Sequence, residues 1–314
     1  MAAVAPAVPA RTKRLRRRRQ WLSTLGTAAR TGRGKLGIGL ASVVVLIAAI
    51  GPFVTPYPTS QFVALDYSAP SSHFLLGTDY LGYDVLSRVL DGGWIMLVMA
   101  LCATAFGLIV GGVAGISAAY LRGKADALIM RAVDVILAFP QLVFALLLVS
   151  IIGPKLWLIV LAVGFSHAPA VARVLRSATL DISERDFVKS VELQGVKPAR
   201  VMWSEILPNL MSPLMVEAGL RLTYSIVVMA GLNFLGFGPP PPAPNWGIMI
   251  WENLDGRTTN PWAVVVPAAL IALLTIGTNT FTDAVARVAI GVDRRPEVAA
   301  LLEDIGLRPS TEPA

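Results

Sequence analysis

Glu217 and Arg221 stand four residues apart in an otherwise apolar stretch, and Asn279 and Asp283 repeat that spacing in a later one, beside Thr278, Thr280 and Thr282. A separation of four places both members on one helix face, where an acid and a base can pair. Charge inside a bilayer costs at least ~2.5 to 3.5 kcal/mol on insertion scales, so such residues are candidates for a translocation path. The plainer reading is a polar helix-helix contact with a partner subunit, or placement near the cytoplasmic interface. Other reactive groups are few. His73 and His167 lack a second ligand at metal-binding spacing, and a zinc site needs three or four. The single cysteine, Cys102, is expected to be buried in its apolar run, and one thiol makes neither an intrachain disulfide nor an iron-sulfur site. Neither a Walker A sequence, a nucleophile elbow nor HExxH occurs. No catalytic residue, metal ligand or resident cofactor is assigned to the chain, which reads as a non-enzyme.

The elements that must position these residues are membrane spans. Of the 314 residues, 55% are apolar and only 15% charged. A soluble domain carries roughly 25% charged residues. Mean hydropathy is +0.65. About 20 apolar residues cross a hydrocarbon core of ~30 Å. Six windows of that kind occur: Leu36 to Thr55, Trp94 to Tyr120, Ile129 to Ile152, Leu156 to Ala170, Leu210 to Leu235 and Trp262 to Ala289. The expected fold is all-α and integral to the membrane, with six transmembrane helices. The expected divisions are a basic tail at 1–35, a first helix at 36–56, an outer loop at 57–93, a five-helix core at 94–290 and a second tail at 291–314. Gly107, Gly111, Gly112 and Gly115 would let helices approach closely. The first window is too long for a signal-peptide core and no A-x-A-like site follows it.

Net charge is +7, yet ten basic residues fall in the first 35 positions, among them Arg11, Lys13, Arg14 and the run Arg16 to Arg19. A basic cluster ahead of a first span reads as an orientation signal and a ligand for anionic lipid headgroups, in preference to nucleic acid. With six spans both termini share a side. The Lys/Arg census makes that side cytoplasmic: the segments then outside hold only Arg88, Lys155 and Arg257.

Two outside segments are long. Pro56 to Gly93 ends in Leu81, Val85, Leu86, Val89 and Leu90, the spacing of an amphipathic helix lying on the membrane or on a partner. Gly236 to Pro261 carries Pro239, Pro240, Pro241, Pro242 and Pro244 before Asn245-Trp246-Gly247, which reads as a semi-rigid polyproline strut with an interfacial tryptophan. Inside, residues 181–209 are too polar to cross lipid but keep a periodic apolar set at Phe187, Val188, Val191, Leu193, Val201, Met202, Ile206 and Leu207. Two short helices should flank Gly195 and Pro198, since glycine suits the left-handed residue that ends one and proline the first turn of the next. Pro208-Asn209 stops the second. A cytosolic hairpin held by spans at both ends is a lever that another protein can push.

That hairpin resembles the coupling loop of ABC-importer permeases. Gly195 and Leu207-Pro208 match the loop's glycine and closing Leu-Pro in type and distance, while Lys189, Ser190 and Val191 stand where Glu-Ala-Ala is usual, and Glu205 where an apolar residue or histidine is usual. Gly77, Thr78, Asp79, Gly82, Asp84, Ser87, Arg88 and Gly92 are similar to a stretch found in C-type dipeptide, oligopeptide and nickel permeases, with Tyr83 replacing an arginine. Phe139-Pro140, the run Asn233 to Gly238 and Asn245-Trp246-Gly247 are similar to the same branch, and the likeness fades after Asp283.

The resemblance implies a type I ABC importer permease in the bacterial plasma membrane. It implies a heterodimer with a B-type permease, two cytoplasmic ATPases that carry ATP and magnesium, and an extracytoplasmic binding protein. Phe187, Val188, Lys189, Val191, Glu192, Leu193, Gly195, Val196, Pro198, Leu207 and Pro208 would meet an ATPase. The outer motif, with Trp246 and Gly247, would face the binding protein or close the outer gate. Di- or oligopeptides are the implied cargo. The rival is a self-sufficient secondary transporter or channel, against which stand the absence of obvious duplicated halves and of a mid-depth chain of titratable residues.

Overall fold

The structure, a computed structural model, describes residues 21–239 and 242–291, and within them it is helical, with one isolated antiparallel bridge between Thr78 and Asp84. The basic run Arg11 to Arg19, Pro240, Pro241 and the tail from residue 292 lie outside the described residues. Residues 21–30 form α1, which packs Ala28 against Ala284, Val285 and Val288. Thr31 then caps α2 (Gly32–Ile50) by accepting from the Gly34 amide at 3.0 Å. Next come α3 (Val85–Asp91), α4 (Gly93–Leu121), α5 (Gly123–Leu137), α6 (Gln141–Ile152), α7 (Leu156–Ser183), α8 (Asp186–Leu193), α9 (Pro198–Val201), α10 (Met211–Leu232), α11 (Trp246–Glu252) and α12 (Trp262–Ala289).

Among the described residues five helical stretches are long and apolar enough to cross a membrane, and a sixth crossing exists if the bent pair α5 and α6 is counted as one. The straight span expected from Ile129 to Ile152 does not form. Proline at 140 has no amide to continue the ladder and disfavours helix at Phe139 before it. The chain therefore breaks there and turns by 82°. A helix rises about 1.5 Å per residue, so α6 reaches only about 18 Å with its 12 residues. The other half, α5, carries Lys124, Asp126, Arg131 and Asp134 and stays close to the polar end of α7. Arg176 grips Asp126 with two hydrogen bonds of 2.6 Å, and Arg173 donates to Asp134 at 2.6 Å. Both arginines belong to α7, which runs on to Ser183, well beyond the end expected at Ala170.

Small residues set the closest packing. A Cβ on Gly107, Gly111 or Gly115 would fall within 2.7, 2.4 and 2.4 Å of the carbonyl oxygens of Gly164, Ala168 and Ala172, so α4 and α7 lie backbone to backbone. With no hydrophobic force between helices in lipid, such contact is what joins them. Gly37 and Gly277 do the same for α2 and α12. Cys102 sits on the outer face of α4 and is exposed, contrary to the expectation, because the closely packed side of that helix is its glycine stripe.

Candidate functional site

The motif from Gly77 to Arg88 folds into a buried knot at one end of the bundle. Gly77 (φ 71°) and Gly82 (φ 73°) take left-handed turns, and a Cβ at either would strike a backbone carbonyl within 2.3 Å. The turns bring Asp79 round to accept from the Leu81 and Tyr83 amides, both at 2.9 Å. Thr78 donates to the Leu65 carbonyl at 2.6 Å. Asp84 caps α3, accepting from the amide (2.8 Å) and hydroxyl (2.6 Å) of Ser87.

Arg88, fully buried, emerges from α3 between two carboxylates: it is ion-paired with Asp79 and donates to Glu252 at 3.0 Å. The helix expected to lie on a surface is therefore inside, with Val85, Ser87, Arg88 and Val89 all buried. Tyr80 adds two bonds to the distant segment, hydroxyl to Glu252 at 3.1 Å and amide to Asn253 Oδ1 at 3.1 Å, and Asn260 donates to the carbonyls of Leu76 and Thr78. Burial raises the Glu252 carboxyl above the usual carboxylate range, with Arg88 and Tyr80 pulling the other way. Tyr80, half-buried beside that carboxylate, is pushed up to about 12.

Trp246 is not interfacial. It is fully buried, donates its indole N–H to the Val89 carbonyl at 2.7 Å, and lies against Gly93, where a Cβ would come within 2.3 Å of the ring. Gly247 packs on Asn233 and Ala230, and Asn245 caps α11 by accepting from the Gly247 amide. The two long segments read separately in the sequence thus form a single cap. Glu252, Asn253 and Asn260 escaped notice. The one available signal was an acid ending the apolar run Trp246 to Trp251.

At the opposite end, α8 and α9 form the expected hairpin. Gly195 occupies the left-handed region (φ 72°) with nothing within 4 Å of a Cβ, and Pro198 opens α9. One wide turn (Met202–Ile206) and one tight turn (Leu207–Asn209, containing Pro208) lead into α10. Val188, Val201 and Ile206 are buried against Ile116, Val171, Leu175 and Ile182 of the α4/α7 pair, with Phe187, Val191, Val196 and Leu207 packed around them. Glu192, Gly195 and Pro198 face outward, and Leu193 is 90% exposed. Lys189 bonds Glu184 at 3.2 Å, and Glu184 is also paired with Arg122 at the α4/α5 elbow; Arg122 first, and Lys189 with it, hold its carboxyl below the usual range.

The in-span pairs differ from one another. Glu217 is buried and accepts from Arg221 Nε at 3.1 Å, while the guanidinium lies 5.2 Å from the centre of the Tyr224 ring. Asn279 and Asp283 are exposed on α12. Just beyond them a groove of about 510 Å³ runs between α10, α11 and α12, lined by Val227, Gly231, Phe234, Ile271 and Ile276 among others.

Residues 107–289 match the model of the binding-protein-dependent transport system inner membrane component family. The chain is 36% identical over 254 residues to a di/tripeptide transport system permease protein of Pseudomonas aeruginosa, covering 79% of this chain and 84% of that one. It is 33% identical over 263 residues to a dipeptide transport system permease protein of Haemophilus influenzae, covering 80% and 88%. It is 32% identical over 243 residues to a glutathione transport system permease protein of Pectobacterium atrosepticum, covering 77% and 81%. An all-helical, multi-pass chain with this extent of likeness belongs to the binding-protein-dependent transport system inner membrane component family, the permease subunits of ABC importers.

Proposed function

We propose that the chain is one of two permease subunits in an ATP-driven importer of di- or oligopeptides, and that the α8/α9 hairpin is the handle through which a partner ATPase moves it. The observation that carries this reading is the two-sided character of the hairpin. Its inner side is fused by apolar packing to the α4/α7 pair, while its tip offers an exposed leucine to a partner. A push on the tip travels along α7, whose 28 residues lead without interruption from the hairpin to the far end of the bundle. Glu184, bonded to both Lys189 and Arg122, carries the same push to the elbow of α4 and α5. Lys189, which departs from the usual acid, makes a surface ion pair with Glu184 within the chain and leaves its side chain half exposed.

The hairpin end and both termini are cytoplasmic in this reading, as the basic residues require, and the cap faces the binding protein. The names of the relatives support peptides as cargo. ATP and magnesium belong to the ATPases, of which there are two. The second permease covers the face of α12 that bears Asn279 and Asp283, or water meets it, in the path or at the inner interface toward which both residues lie, because a carboxylate does not face hydrocarbon.

The test is reconstitution in liposomes with the second permease, the two ATPases and the binding protein. Uptake of dialanine should require ATP and every subunit. Leu193→Arg should abolish ATPase association with little effect on folding. Gly195→Val, which places a β-branched residue in the left-handed region at a cost of about 1 to 2 kcal/mol, should weaken it. Vesicles holding this polypeptide alone that take up the peptide at the full rate, indifferent to nucleotide, would overturn the proposal in favour of a secondary transporter.

A further inference from the structure

His167 is fully buried in α7 and forms the hub of a polar chain crossing four helices. Gln141 Nε2 lies 2.9 Å from His167 Nδ1, His167 Nε2 lies 2.9 Å from Ser225 Oγ, Ser225 Oγ lies 3.1 Å from Thr104 Oγ1, and Thr104 Oγ1 lies 2.7 Å from the Ala100 carbonyl. The direction of every bond follows from the last. A carbonyl can only accept, so Thr104 gives its proton to Ala100 and must accept from Ser225. Ser225 has then used its own proton and must accept from His167. The imidazole therefore carries its proton on Nε2 and receives the Gln141 amide at Nδ1. The hydroxyls of Thr104 and Ser225 and the ring N–H of His167 thus each have one acceptor, and one N–H of Gln141 is taken by Nδ1, the same amide nitrogen lying farther, at 3.4 Å, from Nε2.

The hub lies near mid-depth. Thr104 and His167 each stand eleven positions beyond the cap-end start of their helices, Gly93 and Leu156. That is about 17 Å along the axis, a little over half of the apolar core of ~30 Å. Room for the ring comes from Gly107, where a Cβ would meet His167 Cβ at 2.9 Å. Gln141 is the first residue of α6, directly after the break at Pro140. Its hydrogen bond adds a polar tie, to α7 and through Ser225 to α10, to the apolar packing by which Ala145, Val149 and the Phe144–Phe165 stack already hold the short outer piece of the broken span. In hydrocarbon an amide or imidazole without its partner finds no water to replace it, so such a junction is either fully made or remade elsewhere.

We propose that His167 is a positioning residue for transport, holding α6 in register with α10 and the α4/α7 pair so that movement of that pair is passed to the broken span. The inference rests on the importer reading. In the complete reconstituted transporter, His167→Ala should lower ATP-driven dialanine uptake at least tenfold while ATP hydrolysis stays within twofold of the parent. Gln141→Leu should do the same, and the double variant should fall no further. His167→Gln, whose amide keeps one acceptor and one donor, should restore at least half of the uptake. In the unaltered protein, nitrogen NMR should show the ring as the neutral Nε2–H form. Uptake and hydrolysis falling in proportion, an unaffected Gln141→Leu, or the Nδ1–H form would each overturn the assignment. Failure of the unaltered complex to couple uptake to ATP would instead overturn the importer reading.

Discussion

Arg88 and Glu252, far apart in the chain, are joined by a hydrogen bond of 3.0 Å with both side chains almost wholly excluded from solvent. Asp79 takes the other side of the guanidinium, so one cation serves two buried carboxylates. Deleting one partner of a buried ion pair costs about 3 to 5 kcal/mol, because the charge left behind has no partner. Arg88→Met should reach or exceed that range, since two carboxylates are stranded. Adding Asp79→Asn and Glu252→Gln should recover much of the loss. Thermal unfolding in detergent, followed by fluorescence of the buried Trp246, measures both; equal stability of the single and triple variants would show that the charges are not what the variant exposes.

The same pair sets a pH dependence. Burial raises the Glu252 carboxyl above its ordinary 4.5, so between 4.5 and the raised value the folded chain binds a proton that the unfolded chain has released. Stability contributed at this site therefore falls as pH rises through that window and is greatest on its acid side. Glu252→Gln removes the titration. The difference in melting temperature between the parent and this variant should shift in favour of the parent as pH is lowered from neutral toward 4.5, and a difference independent of pH would contradict the sign.

How much of this could be seen beforehand depends on the range of the interaction. Spans such as Trp262–Ala289 and the hairpin around Gly195 are written locally, as an apolar window or as turn residues at the right spacing, and both form where expected. The break at Pro140 was legible in principle, but hydropathy continues through it and hides the bend. The cap is not local at all. Neither the stretch around Arg88 nor the one around Glu252 says that it meets the other, and Trp246 looks interfacial until Gly93 and the Val89 carbonyl are brought against it. The hub at His167 is of the same kind: its partners Gln141, Ser225 and Thr104 come from three other helices, and none is titratable.

Adjacent glycines on α4 should respond oppositely to the same change. A Cβ on Gly111 would sit 2.4 Å from the Ala168 carbonyl oxygen, which cannot move without displacing α7, whereas on Gly112 it meets only the Leu175 methyl at 3.4 Å. Gly111→Ala should destabilise by about 1 to 3 kcal/mol, the usual range for overpacking. Gly112→Ala should be neutral or stabilising by up to about 1 kcal/mol, through helix propensity. Melting temperatures of the two variants decide it, and similar values for both would mean that the α4/α7 contact is looser than the backbone separation implies.

The exposure of Asn279 and Asp283 gives α12 a polar face next to Ile276, which is 54% exposed. Hydrocarbon would not accept such a face. Counted from the cap-end start of α12 at Trp262 the two stand about 26 and 32 Å along the axis, so a water-filled path, a partner subunit or the water of the inner interface lies there, and the three can be told apart chemically. The exposed native thiol is first removed by Cys102→Ser. Cysteines at 279, 283 and, as a lipid-facing control, Leu101→Cys can then be treated with a charged thiol reagent that reacts only where water reaches the thiolate. In the isolated chain, positions 279 and 283 should react at least tenfold faster than 101. If the second permease covers this face, its addition should slow both positions and permit cross-linking to it. If the face lines the path, the rates should persist in the complex and change with ATP, whereas at the inner interface they should persist and not change. Rates at 279 and 283 as slow as at 101, in the chain alone and in the complex, would mean that both residues face lipid and take no part in either.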